Sequence, residues 1–156
     1  MTSVTPRQRR RLANGVKQAL RDAALQVALL NHQVGTRLNL RDADFDCLNL
    51  LSEHGPLGPG ALAKLAGLHP ATMTGVLDRL EKAGFVTRDR DPGDRRAVVL
   101  RPSPERGREV LGLYAGMNDA MDGVCAGYSA EELEIIADFL RRTATAGREA
   151  TTKLAE

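Results

Sequence analysis

Apolar residues recur at alternating spacings of three and four through Leu12, Val16, Leu20, Ala23, Val27, Leu30 and Val34, the signature of one helix face. Thr5-Pro6 ahead of them is a cap followed by a first-turn proline, so a helix is predicted from Pro6 to about residue 38. Such a helix is about 50 Å long at 1.5 Å per residue, more than a domain this small covers by itself. The next helix is expected over Asp42–His54, with Phe45, Leu48 and Leu51 on its face, aspartates in its first turn and Gly55 as its stop. A compact helix over residues 61–66 ends at Gly67, and another opens at His69-Pro70 and carries Met73, Val76, Leu77 and Leu80 as far as Gly84. Phe85-Val86-Thr87 and Ala97-Val98-Val99-Leu100 then read as two strands around the turn Asp91-Pro92-Gly93-Asp94. Ser103-Pro104 starts one long helix with a seam of Val110, Tyr114, Met117, Met121, Val124 and Tyr128. Ser129 with Glu132 forms a capping box for the last helix, whose face is Leu133, Ile136, Leu140 and Ala144.

Two short helices joined by about three residues that include a glycine outline a helix-turn-helix, and the hairpin after it is a wing. The outer face of the second helix carries Ala71, Thr72, Thr74, Gly75 and Arg79, small or hydrogen-bonding and without apolar bulk, as a groove reader requires. The wing carries Arg88, Arg90, Arg95, Arg96 and Arg101, a guanidinium density suited to a polyanion. The net charge of +2 conceals a segregation: residues 1–41 hold eight Lys or Arg against one acid and 61–101 eight against five, whereas 102–156 hold six against ten. Basic charge concentrated on the leading arm and the reading unit, over an acidic scaffold, is the pattern of a nucleic-acid binder. The unmatched apolar seams at the two ends predict a dimer interface.

The string Leu77-Asp78-Arg79-Leu80-Glu81-Lys82-Ala83-Gly84-Phe85-Val86-Thr87-Arg88, followed by Asp91-Pro92-Gly93-Asp94-Arg95-Arg96, resembles the MarR family of bacterial winged-helix transcriptional regulators. The helix order extends the resemblance over nearly the whole chain. It implies a mainly α fold in one domain, 1–156, with a winged helix-turn-helix lobe over 42–103 and dimerisation helices over 1–41 and 104–156. The implied partners are a second copy of the chain and a pseudo-palindromic double-stranded DNA operator, occupied as a repressor. Recognition helices would sit in adjacent major grooves, and Arg96, oriented by Asp94, would reach a flanking minor groove. Thr72, Thr74 and Arg79 are then the expected base and phosphate contacts, with Arg88 and Arg90 on the backbone and Arg95 also expected at the DNA. His69, at the mouth of the recognition helix, either contacts DNA or caps the turn. Many members carry a basic residue where this chain has Gly75 after Thr74, which implies thinner direct readout and greater dependence on phosphates and groove shape. The resemblance also implies a small aromatic or phenolic effector between the long helices and the reading lobe. His32 and Met117 lie on elements expected to line that pocket, with core packing as the alternative.

Other chemistries find little support. The three histidines fall on three different elements, no nucleophile stands beside one in a recognisable motif, and neither a cofactor nor enzymatic activity is expected. Cys47 and His54 share a helix face but lie about 10 Å apart along the axis, too far for one zinc ion. Cys47 and Cys125 form no disulfide framework and read as small buried hydrophobes. The segment Gly55-Pro56-Leu57-Gly58-Pro59-Gly60 has no strand before it and no G-K-[ST] after it, so a rigid turn is expected rather than a phosphate loop. No apolar run approaches 18 residues, no membrane partner is expected and the chain is expected to be cytoplasmic. Arg7, Arg9, Arg10 and Arg11 form an arm that either approaches phosphates or is simply solvated. The alternatives in function are a winged-helix module whose basic face binds an acidic protein, and an enzyme with an unrecognised site.

Overall fold

A computed structural model describes residues 4–154, which form seven helices and one two-stranded sheet. The chain divides into two compact units, 1–45 and 46–156.

In the first unit α1 (Pro6–Arg37) starts on a capping box, with the Thr5 hydroxyl accepting from Gln8 N–H and the Gln8 side chain returning to Thr5 N–H. The sequence pattern had offered the cap and the proline; the return bond from Gln8 is an addition. Most of α1 is exposed, and burial begins only at Val34 and Gly35. There the chain turns: Leu40 N–H reaches Gly35 C=O at 2.9 Å, and Asn39 takes a left-handed φ of 55°. A Cβ at Gly35 would stand 3.5 Å from Leu40 O and 3.6 Å from Phe45 Cβ, ordinary contact distances, so this close packing does not itself demand glycine. The helix α2 (Asp42–His54) follows, opening on Asp42 and Asp44 at the positive end of its dipole.

The second unit is built on a core of Leu48, Leu51, Leu62, Met73, Val76, Leu80, Phe85, Val86 and Leu100, all buried. Helix α3 (Pro59–Ala66) begins earlier than the apolar spacing suggests, because Pro59 occupies its first turn and Gly58 its cap. Gly67 closes it at φ 64°, the left-handed conformation that a helix end of this type needs. After three residues α4 (Pro70–Lys82) follows, and Gly84 at φ 77° turns the chain out of it. Strands β1 (Val86–Arg90) and β2 (Val98–Pro102) pair antiparallel, with Val86 opposite Pro102, Arg88 opposite Leu100 and Arg90 opposite Val98. Relative to the strands residue type suggested, β1 runs on toward the tip as far as Arg90, and β2 starts one residue later and runs on toward α5 as far as Pro102. Leu57 bridges to Leu100 through bonds of 2.7 and 3.3 Å, so the Gly-Pro segment is a rigid turn that also lends an edge to the wing.

The expected long helix after the wing is two helices, α5 (Pro104–Leu113) and α6 (Ala115–Cys125). Tyr114 sits between them at φ −92°, ψ −3°, its N–H drawn to Leu111 C=O at 3.1 Å. Gly112 and Gly116 flank the break and weaken the helix on both sides of it. The apolar seam runs across the joint undisturbed, which is why spacing alone does not reveal it. The last helix, α7 (Ala130–Leu154), opens on the expected capping box, with Glu132 N–H donating to Ser129 Oγ at 3.2 Å and Ser129 N–H to Glu132 Oε2 at 2.8 Å. Among the described residues no helix is long and apolar enough to cross a membrane.

Candidate nucleic-acid interface

Helix α4 is two-sided for a physical reason. Met73, Val76, Leu77 and Leu80 drive one side into the core. The opposite side keeps Ala71, Thr72 and Thr74 exposed. His69 is its cap: Nδ1 accepts Ala71 N–H at 3.2 Å, which settles the turn-capping role and leaves the ring's other nitrogen free of that bond. Thr74 Oγ1 donates to Pro70 C=O at 3.1 Å, which leaves the oxygen's lone pairs for an outside donor. Gly75 leaves bare backbone at the centre of the face, and a Cβ there would stand 3.4 Å from Arg79 Nη1. The Arg79 side chain therefore lies back along the helix toward its N-terminus, as long helical side chains do.

The wing's arginines separate into two groups. Arg88 is tied to α4, with Nη2 2.5 Å from Asp78 Oδ1 and Nε 3.4 Å from Glu81 Oε2. Arg101 pairs with Asp89 across the strands at 3.2 Å. Arg90, Arg95 and Arg96 are exposed and form no ion pair among the described residues. The tip is held by its own acids: Asp91 Oδ1 accepts Gly93 N–H at 2.7 Å and Asp94 Oδ1 accepts Arg96 N–H at 2.9 Å. Asp94 thus fixes the backbone of Arg96 and leaves its guanidinium to project.

The second unit also contains a cavity of about 240 Å³, lined in part by Asn49 and Ser52 of α2, Phe85, Gly107 and Val110 of α5, and Tyr114. Its walls carry no charged side chain. Burial pushes the Tyr114 phenol above its ordinary range. Met117, expected at such a pocket, is exposed on α6 and is not among these walls. His32 belongs to the first unit, where its Nδ1 lies 2.8 Å from Asp42 Oδ1, and it too is exposed rather than packed in a core. Residue type alone had not singled out Asn49 or Ser52, since polar positions on a helix ordinarily face water. Cys47 is fully buried as expected, whereas Cys125 is only half-buried. Among the described residues no cluster of ligands could hold a metal ion.

Two helices joined by a three-residue turn and followed by an arginine-tipped hairpin define a winged helix-turn-helix. Residues 40–98 match the model of the MarR family. The chain belongs to the MarR family of helix-turn-helix transcriptional regulators. It is 33% identical over 140 residues to an uncharacterized HTH-type transcriptional regulator, YcgE, of Bacillus subtilis (strain 168), spanning 90% of this chain and 91% of that protein. The HTH-type transcriptional repressor YetL of the same organism is 30% identical over 103 residues, 65% of this chain and 62% of that protein. Among solved structures, transcriptional regulator Tm0710 from Thermotoga maritima superposes with a TM-score of 0.63 at 28% identity, covering 88% of this chain and 96% of that one.

Proposed function

We propose that this regulator is a homodimer that occupies a pseudo-palindromic operator as a repressor and is released by a small neutral aromatic or phenolic ligand. The observation that carries the proposal is the pairing, in one unit, of a helix face of small hydrogen-bonding groups with a wing tip whose arginines project unpaired. Thr72, Thr74 and Arg79 then meet major-groove bases and phosphates, while Ala71 and Gly75 allow close approach. His69 offers its outer ring nitrogen to a phosphate, Arg90 and Arg95 meet the backbone, and Arg96 enters the minor groove. Arg88, held by Asp78 and Glu81, sets the angle of the wing on α4 and makes a phosphate contact only by sharing those carboxylates.

The homodimer is supported by apolar side chains that one chain leaves in water: Leu12 is 65% exposed, Met121 45%, Ile135 70% and Leu140 49%. Covering them with a second copy is the economical solution, and it sets two recognition helices at the spacing of adjacent half-sites. Repression is supported by the relative YetL, which is a transcriptional repressor. Release by a neutral ligand is supported by the uncharged cavity, which is large enough for an aromatic ring, next to Phe85 at the end of the reading helix. A basic surface for an acidic protein would not need so small and polar a helix face, and the relatives are named as transcriptional regulators.

The test begins with fragments bound by the wild type from a genomic DNA pool. On the selected operator, Arg96→Ala weakens binding by about 1–3 kcal/mol and leaves the dimer intact. Arg90→Ala lowers the salt slope by about one unit on every duplex. Unaltered affinity in the first variant would remove Arg96 from the minor groove; an unaltered slope in the second would remove Arg90 from the phosphates.

A further inference from the structure

Arg106 lies on α5, outside the helix-turn-helix and the wing. Its guanidinium carbon stands 4.0 Å from the centroid of the Phe85 ring, and Nη1 donates to Glu109. Its Nε is buried without an acceptor among the described residues. Phe85 itself is 1% exposed and occupies a junction. Its N–H closes on Leu80 C=O of α4 at 2.9 Å, and its C=O accepts the N–H of Ser103, the cap residue of α5, at 2.8 Å. One aromatic residue is therefore bonded through its main chain to the end of the recognition helix and the start of α5, with a guanidinium from α5 laid over its ring.

An N–H buried without an acceptor is destabilising, and a methionine of similar length would fill the place without that penalty. Local rules of this kind are broken where function requires it. We infer that Arg106 is a positioning residue for operator recognition: by fixing the Phe85 ring against α5 it holds α4 and β1, which meet at Phe85, in the geometry that fits the grooves. This rests on α4 and the wing being the DNA-reading elements. When the ring is no longer held, the reading unit samples other orientations, and operator affinity falls by the fraction of time the competent one is occupied. Phe85 also forms part of the cavity wall, so a molecule seated there touches the same ring that Arg106 restrains.

The test compares R106M, R106K and the control R108M, which removes a neighbouring charge from α5 without touching Phe85. Melting temperature, oligomeric state and affinity for the selected operator are measured at one ionic strength. R106M should melt at or above the wild-type temperature yet bind the operator about three- to thirty-fold more weakly, as loss of a partly desolvated cation–π contact allows. R106K, which keeps a cation over the ring, should retain most of the affinity, and R108M should bind within about twofold of wild type. Operator binding by R106M within twofold of wild type overturns the inference, as does an equal loss in R108M, or a loss in R106M that only follows a fall in melting temperature. Thr72→Ala and Arg96→Ala on the same operator separate the two levels. If they weaken binding while R106M does not, the role of Arg106 falls and the reading elements stand; if all are silent, both fall.

Discussion

The Thr74 hydroxyl donates to its own helix at Pro70 C=O, so with that bond kept the side chain offers a groove hydrogen-bond-accepting lone pairs and a methyl surface. Adenine and cytosine amino groups and the thymine methyl are the base features such a group can meet. Tyr114 shows how burial sets a proton's behaviour. Its phenol is pushed above the ordinary 10.0 by desolvation, so the folded chain holds this proton more tightly than the unfolded chain does. The stability it contributes is complete below pH about 10 and is lost as pH rises through the raised folded value. With two tyrosines in the chain, Tyr128→Phe isolates Tyr114, and its absorbance titration at about 295 nm should have a midpoint above 10.0. A midpoint at or below that value would mean that the ring is not shielded from water. His69 was open between cap and DNA contact from sequence, because either role needs only its position before Pro70. The 3.2 Å bond from Ala71 N–H decides for the cap, while the outer nitrogen keeps the second role as a proposal.

Among the elements, the recognition helix was legible almost residue by residue, since proline, periodic apolar positions and a final glycine are local signals. Gly84 bears the most weight among them: at φ 77°, with nothing within 4 Å of an added Cβ, it is required for conformation and not for space. Gly84→Ala should therefore cost about 1–2 kcal/mol in thermal unfolding, the penalty of a left-handed L-residue. A change under about 0.3 kcal/mol would show that the turn can relax into another conformation. Ends were less legible. Pro59 belongs to α3, and the helix after the wing breaks at Tyr114, because a single tightened turn leaves the three-and-four spacing on both sides intact. The wing's charges were visible as a group but not as two groups. Only the fold brings Asp78 and Glu81 within reach of Arg88, ten and seven positions along the chain from it.

At the scale of the molecule, the terminal helices carry more apolar surface than one chain covers, and α5, α6 and α7 contain no buried residue. Leu140→Glu should split the proposed homodimer, because an unpaired carboxylate in an apolar interface opposes association by about 3 kcal/mol or more. A sedimenting species still of dimer mass at low micromolar concentration would move the interface elsewhere. The class of fold, the reading helix, the wing and the unmatched apolar seams behind the proposed homodimer are all written in local order: spacing of apolar side chains, caps, stop glycines and runs of charge are properties of neighbouring residues. The cavity beside Phe85, the carboxylates that hold Arg88 and the guanidinium over the Phe85 ring are different in kind. The first and last depend on side chains that approach only after the wing has brought the chain back to α5, the second on β1 folding back along α4, and no periodicity along the sequence encodes which of many arginines will arrive over an aromatic face.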